Sequence, residues 1–127
     1  MTTLKVGILP YEQFKVRTMA IARGEYISDS DEPKVWFGSI ESFAKVLSDR
    51  NREMLAVIAE TRPASMTELA ERTGRAPSNL SRTLRKMEQY GLVTFEKGEG
   101  RAQAPRVPYS DILLDMPLKP SSPRQAA

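Results

Sequence analysis

"TGRAPSNLSRTLRKMEQYGLV", Thr73–Val93, is the stretch whose reading decides the fold. Gly74 stands just ahead of Pro77, and no helix breaker follows until Gly91. Proline is tolerated at a first helical position, because its missing N–H would have had no intrahelical partner. Glycine just past a helix accepts the positive φ that a C-terminal stop demands. The spacing therefore predicts a helix over 77–90. At ~100° per residue, Leu80, Leu84 and Met87 share one face and suit a core. Ser78, Arg82, Arg85 and Gln89 lie on the opposite face, flanked by Asn79, Ser81 and Lys86. A solvated helix mixes its charges, whereas this stripe has Glu88 as its one acidic neighbour.

Upstream, Ser65 followed three residues later by Glu68 is a capping-box pattern that opens "MTELAERT". Leu69 and Ala70 are its expected buried residues, and Gly74 ends it. Ala70, Gly74 and Leu80 fall in the pattern A-x3-G-x5-L. A small residue lets two helices approach, glycine supplies the positive φ of a tight turn, and leucine anchors the second helix on the first. Downstream, "LVTFE", "KGEG" and "RAQAPRV" read as strand, turn and strand. The Gly-x-Gly of that turn has neither the strand–loop–helix context nor the Gly-Lys-Ser/Thr of a phosphate loop, so its glycines are hairpin residues. Lys97 and Arg101 would stand at the hairpin tip, where they could touch nucleic-acid backbone or a minor groove. Glu96 and Glu99 blunt the charge there. A short helix, a turn, a longer helix and a hairpin form the layout of a winged helix-turn-helix.

On these residues, "LAERTGRAPSNLSRTLRKMEQYGLV" above all, the sequence resembles the MarR-like winged-helix regulators over roughly 50–108. The flanks, including "VPYSDILLDMPL", resemble a smaller group of bacterial and archaeal regulators often associated with toxin–antitoxin gene pairs. The resemblance implies a sequence-specific regulator of transcription, a repressor, that reads the major groove of double-stranded DNA with helix 77–90. The residue types agree: arginine can grip guanine O6 and N7, Asn or Gln can pair with adenine, and hydroxyls reach phosphates. The candidate DNA contacts are Thr67, Arg75, Ser78, Asn79, Ser81, Arg82, Arg85, Lys86, Gln89, Lys97 and Arg101. Winged helices commonly act as dimers on two half-sites, so a homodimer is expected. MarR-like dimers typically use helices at both ends, and this chain lacks a long C-terminal one.

Around this centre, "YEQFKVRTMAIARG" predicts an amphipathic helix over 11–23, with Tyr11, Phe14, Thr18, Ile21 and Ala22 at helical spacing. Its apolar face could pack on its own domain, on a second copy or on a toxin. "EYISDSDEP" is a linker or loop. "KVWF" is a short β-prone run whose Trp36 and Phe37 read as a core plug or an exposed patch. Ser39 and Ser48 suit N-caps for "IESFAKVL" and for "DRNREMLAVIAE", which ends before Pro63. Met54, Leu55 and Ile58 give the latter its core face, and "DILLDM" reads as a further strand. The expected organisation is an α+β, mostly α chain. An N-terminal helical extension (1–38) precedes a winged helix-turn-helix domain (39–116) and a disordered tail (117–127).

Composition narrows the chemistry. The 127 residues allow one modest domain with extensions. They contain no cysteine and no histidine. Disulfides, thiolate nucleophiles, imidazole bases and the usual zinc ligands are thereby removed, and no carboxylate pair or nucleophile–base set stands out. An enzyme is not expected, nor is a metal or cofactor. No apolar run approaches the ~18 residues of a membrane span, and Met1–Pro10 lacks the apolar core of a secretory signal. A cytoplasmic protein without a membrane partner is expected. The net charge of +3 is unevenly distributed. Residues 72–108 carry eight basic and three acidic side chains, whereas 39–71 carry four and six. Polyanion binding is the leading reading. Two alternatives remain: an antitoxin that binds a toxin protein, and a winged-helix module that docks on an acidic protein.

Overall fold

A computed structural model describes residues 2–27, 30–98, 100–116 and 118. Apart from Met116 and Leu118, the segment after Asp115 lies outside the described residues, as does Glu99 at the hairpin tip. The expected disordered tail therefore falls almost wholly outside them. The architecture is α+β, with five helices, a three-stranded sheet and a two-stranded sheet among the described residues. Among the described residues the chain divides into two compact units, one holding Thr2 and Lys45–Ser110, the other Thr3–Ala44 and the strand segment that begins at Asp111. Of the 39–116 span expected as one domain, Lys45–Ser110 lies in the first unit, whereas 39–44 and 111–116 lie in the second.

The larger unit contains α3 (Asp49–Thr61), α4 (Met66–Thr73), α5 (Pro77–Gln89), β3 (Thr94–Lys97) and β4 (Gln103–Arg106). Its helix ends follow the local chemistry. Ser48 Oγ accepts from Asn51 N at 3.2 Å and opens α3. Arg62, at φ 45°, closes α3 in the left-handed region just before Pro63. Ser65 Oγ accepts from Glu68 N at 3.1 Å. The return bond of this capping box goes from Ala64 N to Glu68 Oε2, one residue earlier than the standard box. Gly74, at φ 72°, closes α4 with its N–H on Ala70 O at 2.9 Å. Beyond α5, Gly91 N bonds Glu88 O and Leu92 N bonds Met87 O, at 3.0 Å each. This is a Schellman stop, with the buried Leu92 and Met87 as its apolar clasp.

Met54, Ile58, Leu69, Leu80, Leu84, Met87, Leu92 and Val93 are buried and form the core of this unit. Leu55 and Ala70, expected inside, are only half-buried. The antiparallel hairpin pairs Thr94 with Arg106 and Lys97 with Gln103. Gly98 N bonds Ala102 O at 2.8 Å to close it. A Cβ on Gly98 would stand 3.0 Å from Ala64 O, so the hairpin lies hard against the loop ahead of α4.

The smaller unit was only partly anticipated. It is a parallel sheet in the order β2–β1–β5, from β1 (Thr3–Ile8), β2 (Val35–Phe37) and β5 (Asp111–Asp115). Its helices are α1 (Tyr11–Ala22) and the first part of α2 (Ile40–Val46). Strand β1 was not foreseen, and "DILLDM" pairs with it instead of extending the hairpin unit: Thr3 registers with Asp111 and Gly7 with Asp115. Gly7 is required by close approach, because a Cβ there would stand 2.6 Å from the Trp36 ring. Phe37 is fully buried, edge-on to Phe43 at 5.3 Å. The expected apolar face of α1 is exposed at Tyr11, Phe14 and Ile21. What α1 buries is Arg17, bonded to Glu32 Oε2 at 2.7 Å and stacked over Trp36 and Tyr26. The buried ion pair sets the phase of the helix in place of its apolar residues.

Candidate nucleic-acid interface

Three features hold α5 in place. Leu80, Leu84 and Met87 are fully buried, as the helical phase required. Ala76 caps the start, Leu80 N bonding its carbonyl at 3.0 Å. The glycine stop holds the far end. With the inner face anchored, Ser78, Ser81, Arg82, Arg85, Lys86 and Gln89 are left exposed. Thr67 at the start of α4 and Lys97 and Arg101 of the hairpin are exposed as well.

Arg75 departs from this set. It is 8% exposed, and its guanidinium forms a bracket inside the unit. Nη1 donates to Asn51 Oδ1 at 3.0 Å, and Nη2 and Nε donate to Asn79 Oδ1 at 2.7 and 3.1 Å. A longer contact reaches Thr83 Oγ1. Burial, and next the nearby charge of Arg50, hold the Arg75 guanidinium below its usual pKa. It joins α3 to α5 and is not a free anion contact. Asn79 is corrected with it: its amide oxygen is occupied by Arg75, although the residue stays exposed. Asn51 was not singled out from sequence. The available signal was its position just inside a serine-capped helix, facing the turn that carries Arg75.

Arg85 is exposed but not loose. Its guanidinium lies 4.7 Å above the Phe95 ring, Nη2 donates to Gln103 Oε1 at 2.9 Å, and Nη1 meets Glu88 Oε1 at 3.4 Å. Through Phe95 and Gln103, one residue on each strand, it ties α5 to the hairpin. Gln103 also escaped the sequence reading, since nothing local marks a partner across the fold. On the other flank, no carboxylate among the described residues pairs with Arg82 or Lys86. At the hairpin, Glu96 Oε2 approaches Arg106 Nε at 3.3 Å. That carboxylate is thereby turned to Arg106, and Lys97 and Arg101 form no ion pair among the described residues.

The outward surface is thus two unpaired cations on α5, one tethered arginine, and amide and hydroxyl groups from Ser78, Ser81 and Gln89. Such a surface can bind a polyanion by charge and a base edge by hydrogen bonds. Among the described residues, no group of three or more metal-ligating side chains gathers. No helix among them is long and apolar enough to cross a membrane.

The family model HVO_A0114 matches residues 46–114, which is more than half of the chain. The chain belongs to the HVO_A0114 family. No curated protein and no solved structure matches it.

Proposed function

We propose that this member of the HVO_A0114 family is a sequence-specific DNA-binding regulator of transcription, a cytoplasmic repressor of MarR-like winged-helix type. In this reading α4, the Gly74 turn and α5 are the helix-turn-helix, and β3–β4 is the wing. The observation that carries it is the outer face of α5, where Ser78, Arg82, Arg85, Lys86 and Gln89 are exposed on a helix whose inner face is locked into the core. Base reading needs a rigid helix with a polar outer face, because a loose one gives up the geometry on which bidentate contacts depend. Ser78 and Gln89 would read bases, Arg82, Lys86, Lys97 and Arg101 would meet phosphates, and two copies would act on two half-sites.

The test is selection of duplexes from a random pool with the full chain, followed by binding titrations on the recovered and random sequences. A recovered motif bound at least about 10³-fold more tightly than random duplex supports the reading. No enrichment, with affinity nearly independent of salt, favours docking on a protein such as a toxin instead.

A further inference from the structure

We propose that the cleft between the end of α2, the start of α3 and the flank of α5 seats a backbone phosphate of duplex DNA, held by Lys45, Arg82 and Lys86. The proposal rests on the DNA-binding reading and adds to it a residue outside the helix-turn-helix, Lys45.

The cleft encloses about 240 Å³ within the larger unit. Arg82 and Lys86, four apart on α5, project from the same side of that helix. Lys45, in the last turn of α2, stands across from them. Buried Val46 and Met87 form the apolar part of the lining. The remaining lining groups are already engaged: Asn51 Oδ1 and Thr83 Oγ1 both face Arg75. Three cations are therefore the free functionality.

Charge composition separates this cleft from its neighbours. The cleft lined by Arg50, Arg72 and Arg75 also contains Glu53, and the one beneath the hairpin sets Glu96 beside Lys97 and Arg106. The Lys45 cleft has no carboxylate in its lining. Among the described residues none of its three cations forms an ion pair. Three like charges on one concave surface repel one another until an anion arrives, and low-dielectric walls strengthen their pull on it.

The position on the helix specifies which anion. Around α5, Lys86 and Arg82 occupy the flank toward α3, whereas Arg85 occupies the flank toward the hairpin and is tied to Gln103. A helix lying in a major groove has a phosphate track on each side. The Lys45 cleft lies where one track would run, with Ser78 and Gln89 between the flanks and directed at the bases.

The experiment compares the full chain with Lys45→Gln, Lys45→Arg and, as a charge control outside the cleft, Lys15→Gln. Each is titrated on a selected duplex and on a random duplex across a range of salt. Lys45→Gln is expected to weaken both equally, leave their ratio unchanged, and make the slope of log affinity on log salt shallower by about 0.9 per chain. Lys45→Arg should restore the slope, and Lys15→Gln should retain it. Lys45 is exposed, so all variants should melt like the parent. Amide shifts at Lys45, Arg82 and Lys86 are then followed by NMR with duplex, and separately with inorganic phosphate at matched ionic strength. Shifts with phosphate but none with duplex would assign the cleft to a free anion and overturn the proposal. If the parent binds duplex and Lys45→Gln keeps its slope and affinity, this inference falls alone. If the parent binds no duplex, it falls together with the DNA reading.

Discussion

Arg82 and Arg85 have the same chemistry and adjacent places on α5, yet the structure separates their roles. Arg82 makes no bond that its removal would break, so Arg82→Ala should melt like the parent. It should weaken a selected and a random duplex alike and make the slope of log affinity on log salt shallower by about 0.9 per chain. Arg85→Ala removes a cation–π contact with Phe95 and a bond to Gln103. It should therefore lower affinity and also cost about 0.5–1 kcal/mol of stability at this exposed site. Unchanged affinity in both variants would take α5 out of contact with DNA. Arg75 makes the opposite case. Arg75→Ala leaves the amide oxygens of Asn51 and Asn79 without their donor and should destabilise by about 1.5–3 kcal/mol in urea titrations. Arg75→Lys should not rescue it, because a single ammonium cannot span the fork from α3 to α5. An Arg75→Ala protein with the stability of the parent would show that the bracket contributes nothing.

The turn between α4 and α5 carries its own test. Gly74 stands at φ 72°, and no atom lies within 4 Å of where a Cβ would be. Any penalty there is therefore backbone strain and not a clash. Gly74→Val should cost about 1–3 kcal/mol, whereas Gly74→Asn should be milder, since asparagine tolerates the left-handed region. Equal melting of the two variants would contradict the strain account. Leu80 measures the other half of the element, its anchoring. It is fully buried beside Leu84 and Met87, and Leu80→Ala should cost about 2–5 kcal/mol, depending on how far the cavity collapses. Calorimetric melting of both substitutions would separate turn strain from core packing. The same ends also set the aim of α5, because its first turn follows Gly74 and its last is held by the Gly91 stop.

Across the whole molecule, electrostatics dominates the predictions. Two chains on one operator, each meeting several phosphates, should give a steep fall of log affinity with log salt. Half-sites should lie about 10–10.5 base pairs apart, or a multiple of that, and footprinting on selected duplexes would read the spacing. Deleting residues 1–23 would be a poor probe of assembly. It removes β1, the central strand of the parallel sheet, and should unfold that unit along with any interface it forms. Stability toward pH should be flat from about 6 to 9. The chain has no histidine or cysteine, so no side-chain type with an ordinary pKa in that window is present. Arg75 does not alter this. Its folded value is depressed, so its contribution would improve only as pH rose through that value. An arginine remains charged throughout the range a protein tolerates. A pronounced step in melting temperature near pH 7 would refute the prediction.

What the sequence by itself determined was local. The serine caps of α3 and α4, the glycine after α4, the proline opening α5 and the inner face of Leu80, Leu84 and Met87 are set by residues within about one helical turn. The hairpin strands were legible for the same reason. Tertiary structure decided what depends on partners far along the chain. Strand β1 pairs with β5 across nearly the whole sequence, and six residues with two short partners carry no periodicity strong enough to announce that sheet. Arg17 is buried because Glu32 and Trp36 come to it, which no helical wheel of α1 contains. Arg75 read as a surface cation until Asn51 and Asn79 were brought around it. Lys45 drew no notice until folding set it across from Arg82 and Lys86. Spacing along the chain determines which faces a helix has, but a side chain's role follows from the charges and donors that folding brings within hydrogen-bond reach.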